Sequence, residues 1–175
     1  MLKTAHATAL AISAVLLAAS PAAADPFQAF LKACVTTDGD AAAAISAMGD
    51  IGWKPLPPEA LDGAELDDVQ NLTIHTNFDP ASKAAPDSLE ILMTGAADGA
   101  VVFDTPGVMM NICGVMSSEA NAQTLITQVN AHLNSTPQLT ETAYTAWIYS
   151  RQNGRFVAET ELMDADDEVM LAALR

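Results

Sequence analysis

Val108-Met109-Met110-Asn111-Ile112-Cys113-Gly114-Val115-Met116 is the longest apolar run of the chain outside its N-terminus. Its length and its β-branched residues suit a strand. Side chains alternate across a strand, so Val108, Met110, Ile112 and Met116 share one face, and Met109, Asn111, Cys113 and Val115 share the other. Both faces are mostly apolar, which predicts a central strand covered on both sides.

Cys113 has only Cys34 as a possible cysteine partner. In an exported chain the default expectation is a disulfide between them. The alternative, a free reactive thiol, needs a base or cation nearby, and Lys32 is the only cation close in sequence. Cys34 also falls at a telling position. Asp25-Pro26 is a good helix start, and Phe27, Phe30, Leu31 and Cys34 follow at helical spacing on one face. The stripe that buries the two phenylalanines therefore aims Cys34 at the sheet.

Upstream of Asp25 the chain reads as a secretory signal. Lys3 gives a positive start, Ala9 to Ala19 an apolar stretch, and Ala22-Ala23-Ala24 the small residues of a cleavage site. The apolar stretch is about half of the ~20 residues needed to span a bilayer, so cleavage after Ala24 is expected and no membrane anchor is expected afterwards. Residues 25–175 would form a single exported α+β domain, periplasmic or secreted. All 22 acidic residues lie at or beyond Asp25, whereas Lys3 leaves with the signal, so the mature chain carries a formal charge of −16. Such a field repels nucleic acid and anionic lipid, and it suits a basic protein or a small molecule as partner.

Around the central strand the pattern predicts further elements. Thr37-Asp38-Gly39-Asp40 is a turn, and Asp40 caps a second helix that ends near Gly49. Gly52 to Pro58 is irregular, with Trp53 covering an edge of the core. Residues 59–78 are ambiguous, with a lean toward a strand ending at Asn77. Asp79 to Asp87 is a loop. A meander follows: Ser88 to Thr94, a turn at Gly95 to Gly99, Ala100 to Asp104, then the central strand. Ser117 or Ser118 caps a helix with Ala122, Leu125, Ile126, Val129 and Leu133 as its buried stripe, and His132 lies in its last turn. Asn153-Gly154 favours a two-residue turn, which sets Tyr149 opposite Ala158, Trp147 opposite Thr160 and Thr145 opposite Leu162. The face carrying Ala146, Ile148, Glu159 and Glu161 should be the wetter one. Asp164 to Glu168 looks like the start of a C-terminal helix packed through Val169, Met170 and Ala173. The expected fold is α+β, an antiparallel sheet of about five or six strands with helices packed against it and one disulfide.

Chemistry is sparsely signalled. The mature chain offers only His75 and His132 as histidine bases, and no Gly-x-Ser-x-Gly elbow positions a serine. Glu65, Asp67 and Asp68 read as a solvated acidic face. Asp38-Gly39-Asp40 resembles the opening of a calcium loop, but Ala42 and Gly49 stand where further oxygen ligands would be needed. Met93, Met109, Met110 and Met116 could offer thioethers to Cu(I), yet they lack Met-x-x-Met spacing and suit core filling. Asn71 and Asn134 match glycosylation acceptors by chance. No catalytic residue, cofactor or metal ligand is assigned. The functional expectation is a small acidic exported binding or interaction protein; the alternative is a small periplasmic hydrolase whose site assembles only in three dimensions.

Overall fold

The computed structural model describes residues 25–57, 69–81, 88–98, 109–150, 157–165 and 168–174. In chain order these form helix α1 (Pro26–Phe30), which runs into a π-helical turn (Leu31–Val35), α2 (Ala41–Gly49), and strands β1 (Lys54–Leu56), β2 (Gln70–Thr76), β3 (Glu90–Asp98) and β4 (Met109–Ser117). Then come α3 (Ala122–Leu133), β5 (Leu139–Glu141), β6 (Tyr144–Ser150), β7 (Val157–Ala165) and β8 (Glu168–Leu174). The strands make one antiparallel sheet in the order β1-β2-β3-β4-β8-β7-β6-β5. The α+β class is as expected, but the sheet holds eight strands rather than five or six.

Three differences from the sequence expectation account for the larger sheet. The C-terminal segment is strand β8, not a helix. It is inserted between β4 and β7, with Val169, Leu171 and Ala173 facing one side and Met170, Ala172 and Leu174 the other. A strand apolar on both faces has no period-2 signature, and its alanines and leucines favour a helix until ladders on both edges outweigh that preference. Next, β3 runs straight through Gly95-Ala96-Ala97-Asp98, where a turn was predicted, and pairs along its whole length with β4. Gly95 is needed there because a Cβ would lie 2.5 Å from Val69 Cγ1, where β2 bulges and Asn71 takes a φ of 55°. Last, β1 and β5 are short edge strands; Pro55 is tolerated in β1 because that strand has a partner on one side only. The predicted strand Ala100 to Asp104, the Asn153-Gly154 turn and the whole 59–68 segment lie outside the described residues.

Other local readings hold. Asp25 caps α1 through its side chain to the Phe27 N–H at 3.0 Å, and Asp40 caps α2 through Ala43 at 2.8 Å. The β6–β7 register is the predicted one, with Trp147 opposite Thr160 and Thr145 opposite Leu162. Ala146 is fully buried, however, so the face expected to be wet is covered there. The cap of α3 is Asn121, which accepts from Thr124 at 3.0 Å, because Ser117 is still in β4 and the Ser118 hydroxyl accepts from Leu89.

The three described helices lie on one face. Phe27, Phe30, Ala33, Cys34, Ala44, Met48, Leu125 and Val129 form a single core with Leu92, Cys113, Val115, Trp147, Leu162, Leu171 and Ala173 of the sheet. The Trp147 indole donates to Asn130 of α3 at 2.8 Å, so its polar edge is not left dry. The disulfide joins Cys34, in the π-helical turn, to Cys113 in β4 across 5.4 Å between Cα atoms. No helix among the described residues is long and apolar enough to cross a membrane. Replacing Cys34 and Cys113 together by alanine should lower unfolding free energy by up to about 4.5 kcal/mol, the loop-closure value for a loop of about 80 residues. Urea titration of the oxidised and double-alanine chains measures it, and equal midpoints would contradict the assigned role of the bridge.

Candidate functional site

The face away from the described helices is made by side chains of opposite parity. Met93, Gly95, Ile112, Gly114, Met116, Met163, Met170, Ala172 and Leu174 all point there, as the cross-strand partners require. Met116 stands opposite Met170 and Met170 opposite Met163, so three thioethers form a row across three adjacent strands. Beside that row the surface dips. Gly114 has no side chain and Ala172 next to it has only a methyl, so the floor is low. Met93, Ile112, Met163, Met170, Leu72 and Val69 rise around it, and the hollow measures about 170 Å³. Its lining is almost wholly apolar, from residues that no single stretch of sequence brings together.

A second, larger cleft of about 600 Å³ is open and mostly polar, between the start of α3 and the β5–β6 turn, with Glu119, Asn121, Thr140, Glu141 and Tyr144 on its walls. It holds acids without a facing cation in its lining.

The third feature lies under the helices. Glu90, the first residue of β3, is fully buried, and neither of its carboxylate oxygens has a hydrogen-bond partner. Its backbone is fixed on both sides: its N–H donates to Asn77 Oδ1 at 3.1 Å and its carbonyl accepts from the Thr76 hydroxyl at 3.0 Å. Desolvation, reinforced by the negative charge of Asp25, pushes its pKa up to about 7. The Gln128 Oε1 is likewise buried without a donor, although its Nε2 donates to Asp25 at 3.4 Å. Lys32 and Lys54 are the only lysine or arginine residues among those described, and both are exposed.

The residues singled out from sequence fall elsewhere. His75 is buried on β2 with its Nδ1 lacking a partner, and burial lowers its pKa. His132 is exposed at the end of α3 and packs edge-on against Phe27, ring centroids 6.1 Å apart. Neither lines the hollow or the cleft. Trp53 is buried in the core beside Met48, not presented to a ligand. Met109 is 51% exposed and Met110 is 1% exposed, on opposite faces of β4, so the two cannot hold one ion. Met93 instead joins Met163 and Met170, which sequence spacing gave no reason to group. Asp38 and Gly39 take left-handed backbone in a turn, and no group of three or more His, Cys, Asp or Glu among the described residues is placed to hold a metal. Glu65, Asp67 and Asp68 lie outside the described residues.

For the full 175-residue chain, the Glu90 shift sets a sign. The folded state binds the proton more tightly than the unfolded one. The contribution is therefore most favourable below pH 4.5 and is lost as pH rises through about 7. Glu90→Gln should make that chain more stable than the unaltered one at pH 8, by at most about 3 kcal/mol, with the gap closing toward pH 4.5. His75, whose pKa is lowered, acts in the other direction below its unfolded value of 6.5 and is common to both chains. Denaturant titrations across pH measure the gap, and a pH-independent difference would contradict the assignment. Compared with protein families, curated proteins and solved structures, the chain matches none of them.

Proposed function

We propose that this is an exported binding protein, tied by one disulfide, that takes a small apolar ligand in the hollow over Gly114. The signal-like first 24 residues, with cleavage after Ala24, would deliver it to an oxidising compartment in which the Cys34–Cys113 bridge is stable. The observation that carries the binding function is the hollow itself: concave, apolar, and formed by rigid strands instead of loops. At about 170 Å³ it is the size of a cavity that accepts a single ring or the end of a short acyl chain. The acidic field of the chain favours an uncharged or cationic ligand over an anionic one. The distance of His75 and His132 from both cavities weighs for binding and against hydrolysis.

Calorimetric titration with toluene, a neutral single ring, tests this. One saturable site is expected. Gly114→Val should abolish it, because a Cβ there already meets Ala172 Cβ at 3.4 Å and Met170 Sδ at 3.5 Å, and the rest of the side chain fills the floor. Met170→Leu, which conserves apolar volume, should change affinity by only a few-fold. Binding that survives Gly114→Val would contradict the site. Cu(I) uptake lost in Met170→Leu would replace the apolar ligand by a thioether-bound metal.

A further inference from the structure

Both carboxylate oxygens of Glu90 and the Oε1 of Gln128 are buried without a partner, as are His75 Nδ1 and Thr94 Oγ1. Gln128 is hydrogen-bonded to Asp25, the residue at the head of α1. The disulfide explains why Asp25 lies over Glu90. Cys34 is anchored at Cys113, and nine helical residues back to Asp25 span roughly 13 Å. Along β4, the four residues from Cys113 to Ser117 span about the same distance, and Ser117 is the direct cross-strand neighbour of Glu90. Between the heads of α1 and α3 there is also an open space of about 320 Å³, lined by Asp25, Pro26, Glu119 and Gln128 among others.

We propose that the Glu90 and Gln128 oxygens form a binding site for a primary ammonium, filled by the chain's own new N-terminus once residues 1–24 are removed. This rests on the export reading above, specifically on cleavage before Asp25. Hydrolysis of the Ala24–Asp25 peptide bond adds one water: the carboxylate leaves on Ala24, and Asp25 keeps an amine that is protonated at neutral pH. One amide N–H is thereby replaced by an ammonium with three, and Glu90 and Gln128 offer buried oxygens without donors. Asp25 is held in place by its bonds to the Phe27 N–H and to Gln128, so the freed amine takes the position of the former amide N–H. Among the described residues the ionisable groups on the surrounding elements are Asp25 at the head of α1, Lys32 in the π-helical turn, His75 on β2, Glu119 in the β4–α3 turn and His132 on α3; Lys32, the only permanent cation of these, is exposed and seven residues from Asp25, so the ammonium would be the nearer counter-ion. Processing would then fasten the head of α1 to β3 at the end opposite the disulfide. The burial of Glu90, a liability in the precursor, would become an ion pair in the product.

The experiment compares two purified oxidised chains, one released from a cleavable fusion with Asp25 as its first residue and one with Ala24 as its first residue, each with and without Glu90→Gln. Intact mass spectrometry of the secreted protein gives its natural first residue. The chain starting at Asp25 should have an unfolding equilibrium constant at pH 7 at least tenfold lower than the chain starting at Ala24, and Glu90→Gln should erase that ratio. Its α-amino group should also acetylate at least tenfold more slowly in the folded protein. Equal stability and equal acetylation of the two chains would overturn the ammonium site itself. A secreted product beginning at any other residue would overturn cleavage before Asp25, and with it the maturation role, whatever the purified chains show.

Discussion

Strand β4 constrains everything else in this molecule, because from Ile112 to Met116 it is apolar on both sides and little of either side is left to water. The two sides are treated differently. Cys113 is bonded to Cys34, which pins the π-helical turn after α1 onto the sheet, and the rest of the helical layer packs around that point through Phe27, Phe30, Met48, Leu125 and Val129. On the reverse side Gly114 and its neighbour Ala172 leave a depression ringed by methionines. The same few residues of β4 thus serve as anchor on one face and as floor on the other.

Chemistry divides along the same line. Under the helices, burial is nearly complete, and a carboxylate held there without donors costs several kcal/mol unless it is protonated or gains a cation. Glu90 is therefore a point of tension, which the negative charge of Asp25 increases. On the other face, the polarizable and adaptable methionine side chains that ring the hollow suit an apolar guest of variable shape. The two sites are separated by the thickness of the sheet and do not depend on one another.

How far the sequence carried was set by whether the decisive signal was local. Asp25-Pro26 and Asp40 are caps whose partners sit two or three residues away, and the position of Asn153-Gly154 fixes a register that Trp147 and Thr160 then obey. The disulfide followed from there being only two cysteines and a helical stripe that aimed one of them inward. Strand β8 was illegible because Val169 to Leu174 is apolar at every position but carries alanines that favour helix; only the ladders with β4 and β7 decide it. Gly95 looked like a turn residue because its purpose, room for Val69, depends on a bulge in another strand. The hollow draws Met93, Gly114, Met163 and Met170 from four strands, and no spacing rule groups them. For Glu90 there was one available clue: it shares the parity of Leu92, and a charged residue in register with a core residue at a strand end marks a buried charge.

The central claim is that the face away from the described helices receives ligand while the helix-covered face stays closed. Carbon-13 spectra of the methionine methyl groups, recorded as a neutral aromatic ligand is added, address it directly. The methyl resonances of Met93, Met163 and Met170 should move together and saturate, while that of Met48, in the core beneath the helices, stays fixed. Movement of Met48 with the other three unmoved would contradict the account.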